Sequence, residues 1–297
     1  MEEKKTASMS RKNKITNTVI YVILSIMSVI WLLPILLILL VAFNKIEGPQ
    51  AMISWKSGFS LEHFGHLFFG DHAKTFPFFT WFINTLGISI VVTVINTIFI
   101  LSVSYTMSRL RFKSRKTLMS INMILGMFPG FMSMIAVYNI LKLVGLTNPD
   151  SPIYSPKVAL TLCYSMSSGM GFYVAKGFFD TVSRSLDEAA RIDGATNAQV
   201  FFKIVIPLSK PIIVYTLITS FMGPWMDYIY CSYILGTKMS NYTVALGLYQ
   251  FLDINRINNY FTDFFAGSVL ISIPIMALFF ATQKYYVEGV TGGAVKG

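Results

Sequence analysis

Hydrophobic positions gather into six long runs, at about 18–43, 78–107, 118–141, 158–179, 212–235 and 264–283. Each is close to the roughly 20 residues that an apolar helix needs to cross hydrocarbon. The second run is rich in Ile, Val and Thr, but lipid enforces helix whatever the soluble propensity. The first is too long for a signal-peptide core and lacks a small-residue cleavage site, so it is expected as a retained helix. Pro34 and Pro274 should bend the first and sixth spans, and Gly126, Pro129 and Gly130 predict a kinked or unwound middle for the third. Gly169 and Gly171 would let another helix approach the fourth closely.

One polar stretch, 185–208, stands between the fourth and fifth runs with two helix-start signals. Ser185 precedes Glu188 by three residues, and Thr196 precedes Gln199 likewise, the pattern in which cap and N3 side chains satisfy each other's backbone N–H groups. Gly194 falls where a left-handed residue would close the first helix. A helical hairpin is expected, its second helix ending at Pro207. Leu186, Ala189, Ala190 and Asp193 fall on one face of helix one, and Phe201, Ile204, Val205 and Leu208 on one face of helix two. Such a hairpin could rest on lipid headgroups or on its own bundle. Asp193 argues for a cationic partner instead, because an acid at a helix C-terminus opposes the dipole.

Composition agrees with a membrane protein. The 297 residues are 54% hydrophobic and 13% charged, against about 25% charged in a soluble domain, and mean hydropathy is +0.59. The net charge of +10 changes the picture only through its placement. Arg109, Arg111, Lys113, Arg115 and Lys116 form a stop after the second span. With the amino terminus inside, 17 of the 24 Lys and Arg fall on the inner side, which puts both termini and the hairpin in the cytoplasm. The expected division is a cytoplasmic tail 1–17, disordered over its first 14 residues, a six-helix domain 18–283 containing the loop 180–210, and a cytoplasmic tail 284–297.

Candidate chemistry is sparse. Cys163 and Cys231 lie in apolar runs and read as small buried hydrophobes. His63, His66 and His72, with Glu62 and Asp71, lack regular zinc spacing and read as a solvated loop, so no metal is expected. Asp227 is the one acid inside a run, about 24 Å along a helix from Pro211. It could serve a translocation pathway or mark a kinked interfacial helix end. The aromatic loop 238–260 could pack on itself or meet a partner. No Gly-x-x-x-x-Gly-Lys phosphate loop occurs, and neither His-Glu-x-x-His nor Gly-x-Ser-x-Gly does, so the chain is expected to be no enzyme and to bind no ATP itself.

Glu188-Ala189-Ala190, Asp193-Gly194-Ala195, Phe202, Ile204 and Pro207-Leu208 together resemble the cytoplasmic "EAA" loop of permease subunits of binding-protein-dependent ABC importers of carbohydrate. The ending 287–297 is similar to that of the shorter, MalG-like permease of maltose-type systems. The loop departs from the usual pattern at its entry, where Val182-Ser183 and Ser185 replace Ile-Pro and an acid. The resemblance implies an all-α, type I importer (MetI-like) fold with six transmembrane helices in the bacterial cytoplasmic membrane. It implies four partners: a second permease subunit, a dimeric cytoplasmic ATPase that carries ATP and Mg2+, an extracytoplasmic sugar-binding protein, and an oligosaccharide. Maltose or maltodextrin is the first choice of cargo, with raffinose-type or galactan oligomers as alternatives and a secondary transporter as the rival class. Leu186, Glu188, Ala189, Ala190, Asp193, Gly194 and Phe201 would then couple to the ATPase, with Glu188 capping its helix, meeting the partner, or both. The resemblance also implies that Thr291, Gly292, Gly293 and Lys296 reach the ATPase dimer; otherwise the end frays. The loop 238–260 would probe the binding protein.

Overall fold

In lipid every backbone N–H and C=O must be satisfied within the chain, and apolar runs of this length have the helix as their solution. The computed structural model describes residues 2–54, 58–127, 130–166 and 171–294. The chain order is α1 (Glu2–Ala42), α2 (Glu62–Phe68), α3 (Gly70–Thr75), α4 (Phe78–Arg109), α5 (Arg115–Gly126), α6 (Gly130–Val144), α7 (Pro156–Met166) and α8 (Gly171–Thr181). It continues with α9 (Arg184–Ile192), α10 (Asn197–Val200), a π-helical turn (Phe201–Val205), α11 (Ile206–Leu208), α12 (Lys210–Met226), α13 (Ile229–Ile234), α14 (Val244–Tyr249) and α15 (Ile257–Ala294). Among the described residues no strand forms, and one bridge joins Asn44 to Phe59.

Among the described residues three helical stretches are long and apolar enough to cross a membrane: Thr16–Ala42, Phe78–Arg109 and Ile257–Tyr285. A fourth crossing requires the pair Asn197–Leu208 and Lys210–Met226, bent by 83°, to be read as one. The expected third and fourth spans come as shorter helices, α5 with α6 and α7 with α8. Pro129 and Gly169 lie outside the described residues. The expected fifth span is divided as well, because α12 stops at Met226 and α13 resumes at Ile229. Both ends of the chain are more helical than expected. The amino-terminal segment is helix from Glu2 onward, since Lys, Glu, Ala and Met favour helix and extending an existing apolar helix needs no new nucleus. At the other end α15 continues past Lys284 to Ala294.

The chain divides into two compact units. One comprises residues 1–66 and 251–270. Here Asn44 organises the turn after α1: its amide donates to the carbonyls of Ala51 (2.9 Å) and Ser54 (2.8 Å), and its Oδ1 accepts from Ile46 N (3.0 Å). Gly48 adopts φ +76°, and a Cβ there would stand 2.6 Å from the carbonyl oxygen of Asn258. Only glycine fits that approach.

The other unit comprises residues 67–250 and 271–297, and α4 runs through it against α7, α8, α12 and α14. Toward the C-terminal end of α4, Ile100, Leu101 and Tyr105 pack with Phe172, Ala175, Phe179, Val200, Val205 and Ile212. A Cβ on Gly171 would lie 2.9 Å from Ile100 Cδ1, the close helix approach expected of that glycine. Toward its other end the indole of Trp81, fully buried, donates from Nε1 to the carbonyl of Met239 (2.8 Å), and Thr85 Oγ1 accepts from Val244 N (2.8 Å).

Candidate functional site

The hairpin forms, with one cap moved. Ser183, not Ser185, is the N-cap of α9: its φ/ψ of −59°/131° is non-helical, and its Oγ accepts from Ser185 N at 3.3 Å. Glu188 therefore sits in the second turn, beyond the reach of a capping box, and is exposed. The C-terminus follows expectation. Gly194 has φ +83°, Gly194 N donates to the Arg191 carbonyl (3.0 Å) and Ala195 N to the Ala190 carbonyl (2.9 Å), the two bonds of a Schellman ending. Thr196 and Gln199 make the expected reciprocal box, Gln199 N to Thr196 Oγ1 at 3.3 Å and Thr196 N to Gln199 Oε1 at 2.7 Å. The second helix differs from expectation in containing the π turn Phe201–Val205. Pro207 has no N–H to return to the carbonyl four residues earlier, and the wider turn precedes it.

A buried cation ties this hairpin to α4. The guanidinium of Arg109, 1% exposed, donates from Nη2 to the carbonyls of Phe179 and Val182, each at 2.8 Å. Its Nη1 lies 3.4 Å from Oδ2 of Asp187, whose side chain is 6% exposed. One arginine thus satisfies the frayed end of α8 and neutralises the only buried acid of α9. Neighbouring bonds reinforce it: Arg184 Nη2 to the Ser108 carbonyl (3.1 Å), Tyr105 OH to the Asn197 carbonyl (3.1 Å) and Arg191 Nη2 to Asn197 Oδ1 (3.1 Å). Beside the pair opens a cavity of about 580 Å³, walled by Arg109, Arg111, Arg184, Asp187, Glu188 and Arg191 among others.

The expected coupling face separates into two. Leu186, Glu188, Ala189, Asp193 and Gly194 are exposed. Ala190 instead packs toward the core, and Phe201 lies against Tyr105 with ring centroids 4.8 Å apart. Bulk decides the second case, since an aromatic ring at the root of the hairpin fills the space beside α4. Ile192 (87% exposed) and Phe202 (66%) are the most exposed large apolar residues of the hairpin, and a groove of about 350 Å³ runs past Ala190, Asp193, Gly194, Gln199 and Lys203. Sequence reasoning placed Arg109 only in the basic stop after the second span and did not single out Asp187 or Ile192. A cation at the head of a basic run carries no sign that it is buried.

The remaining candidates fall elsewhere. Asp227 caps the break between α12 and α13: Oδ2 accepts from Tyr164 OH (2.9 Å) and Oδ1 from Tyr230 N (3.1 Å), a half-buried position. Cys163 and Cys231 are free and buried. In the loop 238–260, Tyr242 and Phe251 are buried while Tyr249 is exposed. The histidines overturn the expectation of a solvated loop, because His63 is buried and both it and His66 meet Asp263, some 200 residues away in sequence. His72 lies in α3, and Asp71 pairs with Lys74 at 2.9 Å. Thr291, Gly292 and Gly293 lie in the last turns of α15; Lys296 is outside the described residues.

A family model described as "Binding-protein-dependent transport system inner membrane component" matches residues 99–292. The chain is 31% identical over 277 residues to the galactooligosaccharides transport system permease protein GanQ of Bacillus subtilis (strain 168), covering 93% of this chain and 94% of that one. It is 33% identical over 279 residues to the maltodextrin transport system permease protein MdxG of the same organism, covering 93% and 95%. With the maltodextrin transport system permease protein MalD of Streptococcus pneumoniae (strain ATCC BAA-255 / R6) it shares 31% identity over 290 residues, covering 98% and 99%. Among solved structures, a bacterial ABC transporter involved in the import of the acidic polysaccharide alginate superposes with a TM-score of 0.74 at 20% identity, over 93% of this chain and 98% of that one. At that identity the likeness speaks for the fold.

Proposed function

Because the chain belongs to the family of binding-protein-dependent transport system inner membrane components, and is a membrane-embedded transport component rather than a catalyst, we propose that it is a permease subunit of an ATP-driven oligosaccharide importer, with maltodextrin as its first cargo. Relatives named for maltodextrin and for galactooligosaccharides support the sugar class and leave galactooligosaccharides as the second reading. In this proposal the chain pairs with a second permease subunit in the cytoplasmic membrane, both termini inside, and receives sugar from an extracytoplasmic binding protein. A dimeric ATPase holding ATP and Mg2+ docks on the hairpin.

The observation that carries the reading is the anchored hairpin. Arg109 ties its base to α4, while Leu186, Ala189, Ile192 and Phe202 are left exposed. A rigid element with an apolar tip transmits a partner's movement to the helices it is bolted to. Asp227 lines the proposed pathway only through the break it caps, and the exposed Tyr249 is the proposed contact of the outer loop with the binding protein. The decisive experiment reconstitutes the complete complex in proteoliposomes and follows labelled maltodextrin and galactooligosaccharide. Uptake is expected to require ATP and the binding protein, and uptake without ATP would sink the reading.

Two variants test the docking sites. Gly194→Leu places a side chain at φ +83° where a Cβ meets nothing within 4 Å, so the damage is backbone strain of about 1–2 kcal/mol confined to the turn. Membrane insertion stays normal and co-purification of the ATPase falls about tenfold; undiminished co-purification counts against docking at the turn. Deleting 291–297 is expected to lower ATP hydrolysis more than assembly, and unchanged hydrolysis would remove Thr291, Gly292, Gly293 and Lys296 from the proposed contact.

A further inference from the structure

We propose that His63, His66 and Asp263 form a binding site for a divalent transition metal of the zinc type, which fastens α2 to the first turns of α15. All three residues belong to the same compact unit. His63 Nε2 lies 3.0 Å from the main-chain oxygen of Asn44. A carbonyl only accepts, so Nε2 carries a proton, and in the neutral ring the lone pair of Nδ1 turns inward. That Nδ1 faces Oδ1 of Asp263 at 3.3 Å, and Nδ1 of His66 faces the same oxygen at 3.3 Å. Two imidazole nitrogens converging on one carboxylate oxygen call for a shared positive charge.

Two of the three spacings, His63 to Asp263 and His66 to Asp263 at 3.3 Å each, suit a metal better than a shared proton. An imidazolium donating to a carboxylate closes to about 2.7–2.9 Å. Ligand atoms around a tetrahedral ion with bonds of about 2.0–2.1 Å stand about 3.3 Å apart. The candidate ligand atoms here all lie within 4.8 Å of one another. Two imidazoles and one carboxylate are the donor set of an open zinc site, with a fourth position for water. The His66 side chain, 25% exposed, gives that water and the ion a way in, while the His63 and Asp263 side chains are each 1% exposed.

A supporting shell is built around the cluster. The N–H of a metal-bound histidine is usually held by a carbonyl or carboxylate. His63 has Asn44 in that role, and the Asn44 side chain is itself fixed by Ala51, Ser54 and Ile46. His66 turns Nε2 toward Glu62 Oε1 at 3.9 Å. The Asp263 carboxylate and the Asn44 carbonyl face His63 and give the field the right sign for a cation.

The full-length chain, purified in detergent with a histidine-free tag and stripped with chelator, is titrated with Co2+ and then with Zn2+ against a chromophoric competitor. One Co2+ per chain is expected, with the intense visible absorption of a tetrahedral site, displaced by Zn2+. His66→Gln and Asp263→Asn are expected to weaken binding by about 10-fold or more, and His72→Gln to leave it unchanged. Should Asp263→Asn fail to fold, His66→Gln, at the partly exposed ligand, decides. Absence of saturable binding at micromolar metal, equal binding by His66→Gln, or loss in His72→Gln would each overturn the site. The titration needs neither ATPase nor sugar, so its failure leaves the import reading untouched.

Discussion

Replacing Arg109 with alanine is expected to give a chain that inserts and assembles but whose coupled ATP hydrolysis in the proposed importer, once reconstituted, falls about 100-fold. Its guanidinium donates to two carbonyls and faces the Asp187 carboxylate at 3.4 Å, with both side chains buried. Removing one partner of a buried pair leaves an uncompensated charge and costs about 3–5 kcal/mol. Here that cost falls on the seat of the α8 end and α9 on α4, so it shows as a loosened hairpin rather than global unfolding. At about 1.4 kcal/mol per tenfold, the anchored population drops by about two to four orders of magnitude. Arg109→Lys is expected to rescue little, because a single ammonium lacks the planar fork that reaches both carbonyls and the acid. Arg109→Ala with Asp187→Ala should recover some of the loss by removing the stranded charge. Hydrogen exchange over 184–208, measured beside hydrolysis, reports the loosening directly; wild-type protection and wild-type coupling in Arg109→Ala would refute the anchor.

The second large effect belongs to Gly247→Ala. A Cβ at that position would overlap Cε3 and Cδ2 of the Trp81 indole. The indole cannot swing aside freely, since it is fully buried and its N–H is bonded to the Met239 carbonyl. Overpacking typically costs about 1–3 kcal/mol, and a lost indole bond adds about 1 kcal/mol. A fall in melting temperature of about 5–10 °C in detergent is expected. Partial recovery in Gly247→Ala with Trp81→Leu would trace the effect to this one contact, whereas unchanged melting of the single variant would show that the segment relaxes.

Apolar length alone locates the first, second and sixth spans, because lipid leaves the chain no other local structure there, but not the breaks in the other three. The Thr196–Gln199 box and the Gly194 turn are equally legible, each being settled within four residues. The start of α9 is not. Ser183 and Ser185 are both competent caps, and the choice falls to Ser183 where Arg109 holds the preceding Val182 carbonyl and draws Asp187 inward. That information lies more than 70 residues away. The same reason hid the histidine cluster, whose carboxylate is supplied by the start of α15, and turned Ala190 and Phe201 toward the core. Spacing along a helix says which residues share a face, but not which way the face is turned.

The 83° bend at Ser209 has a mechanical meaning. Ser209 is fully buried, so the elbow is held in packing rather than free to flex. Two rods joined at nearly a right angle act as a bell crank. A thrust along the second hairpin helix arrives at α12 almost wholly as a sideways displacement, with little sliding along its own axis. In the proposed importer, such an input would tilt α12 rather than slide it along its own axis.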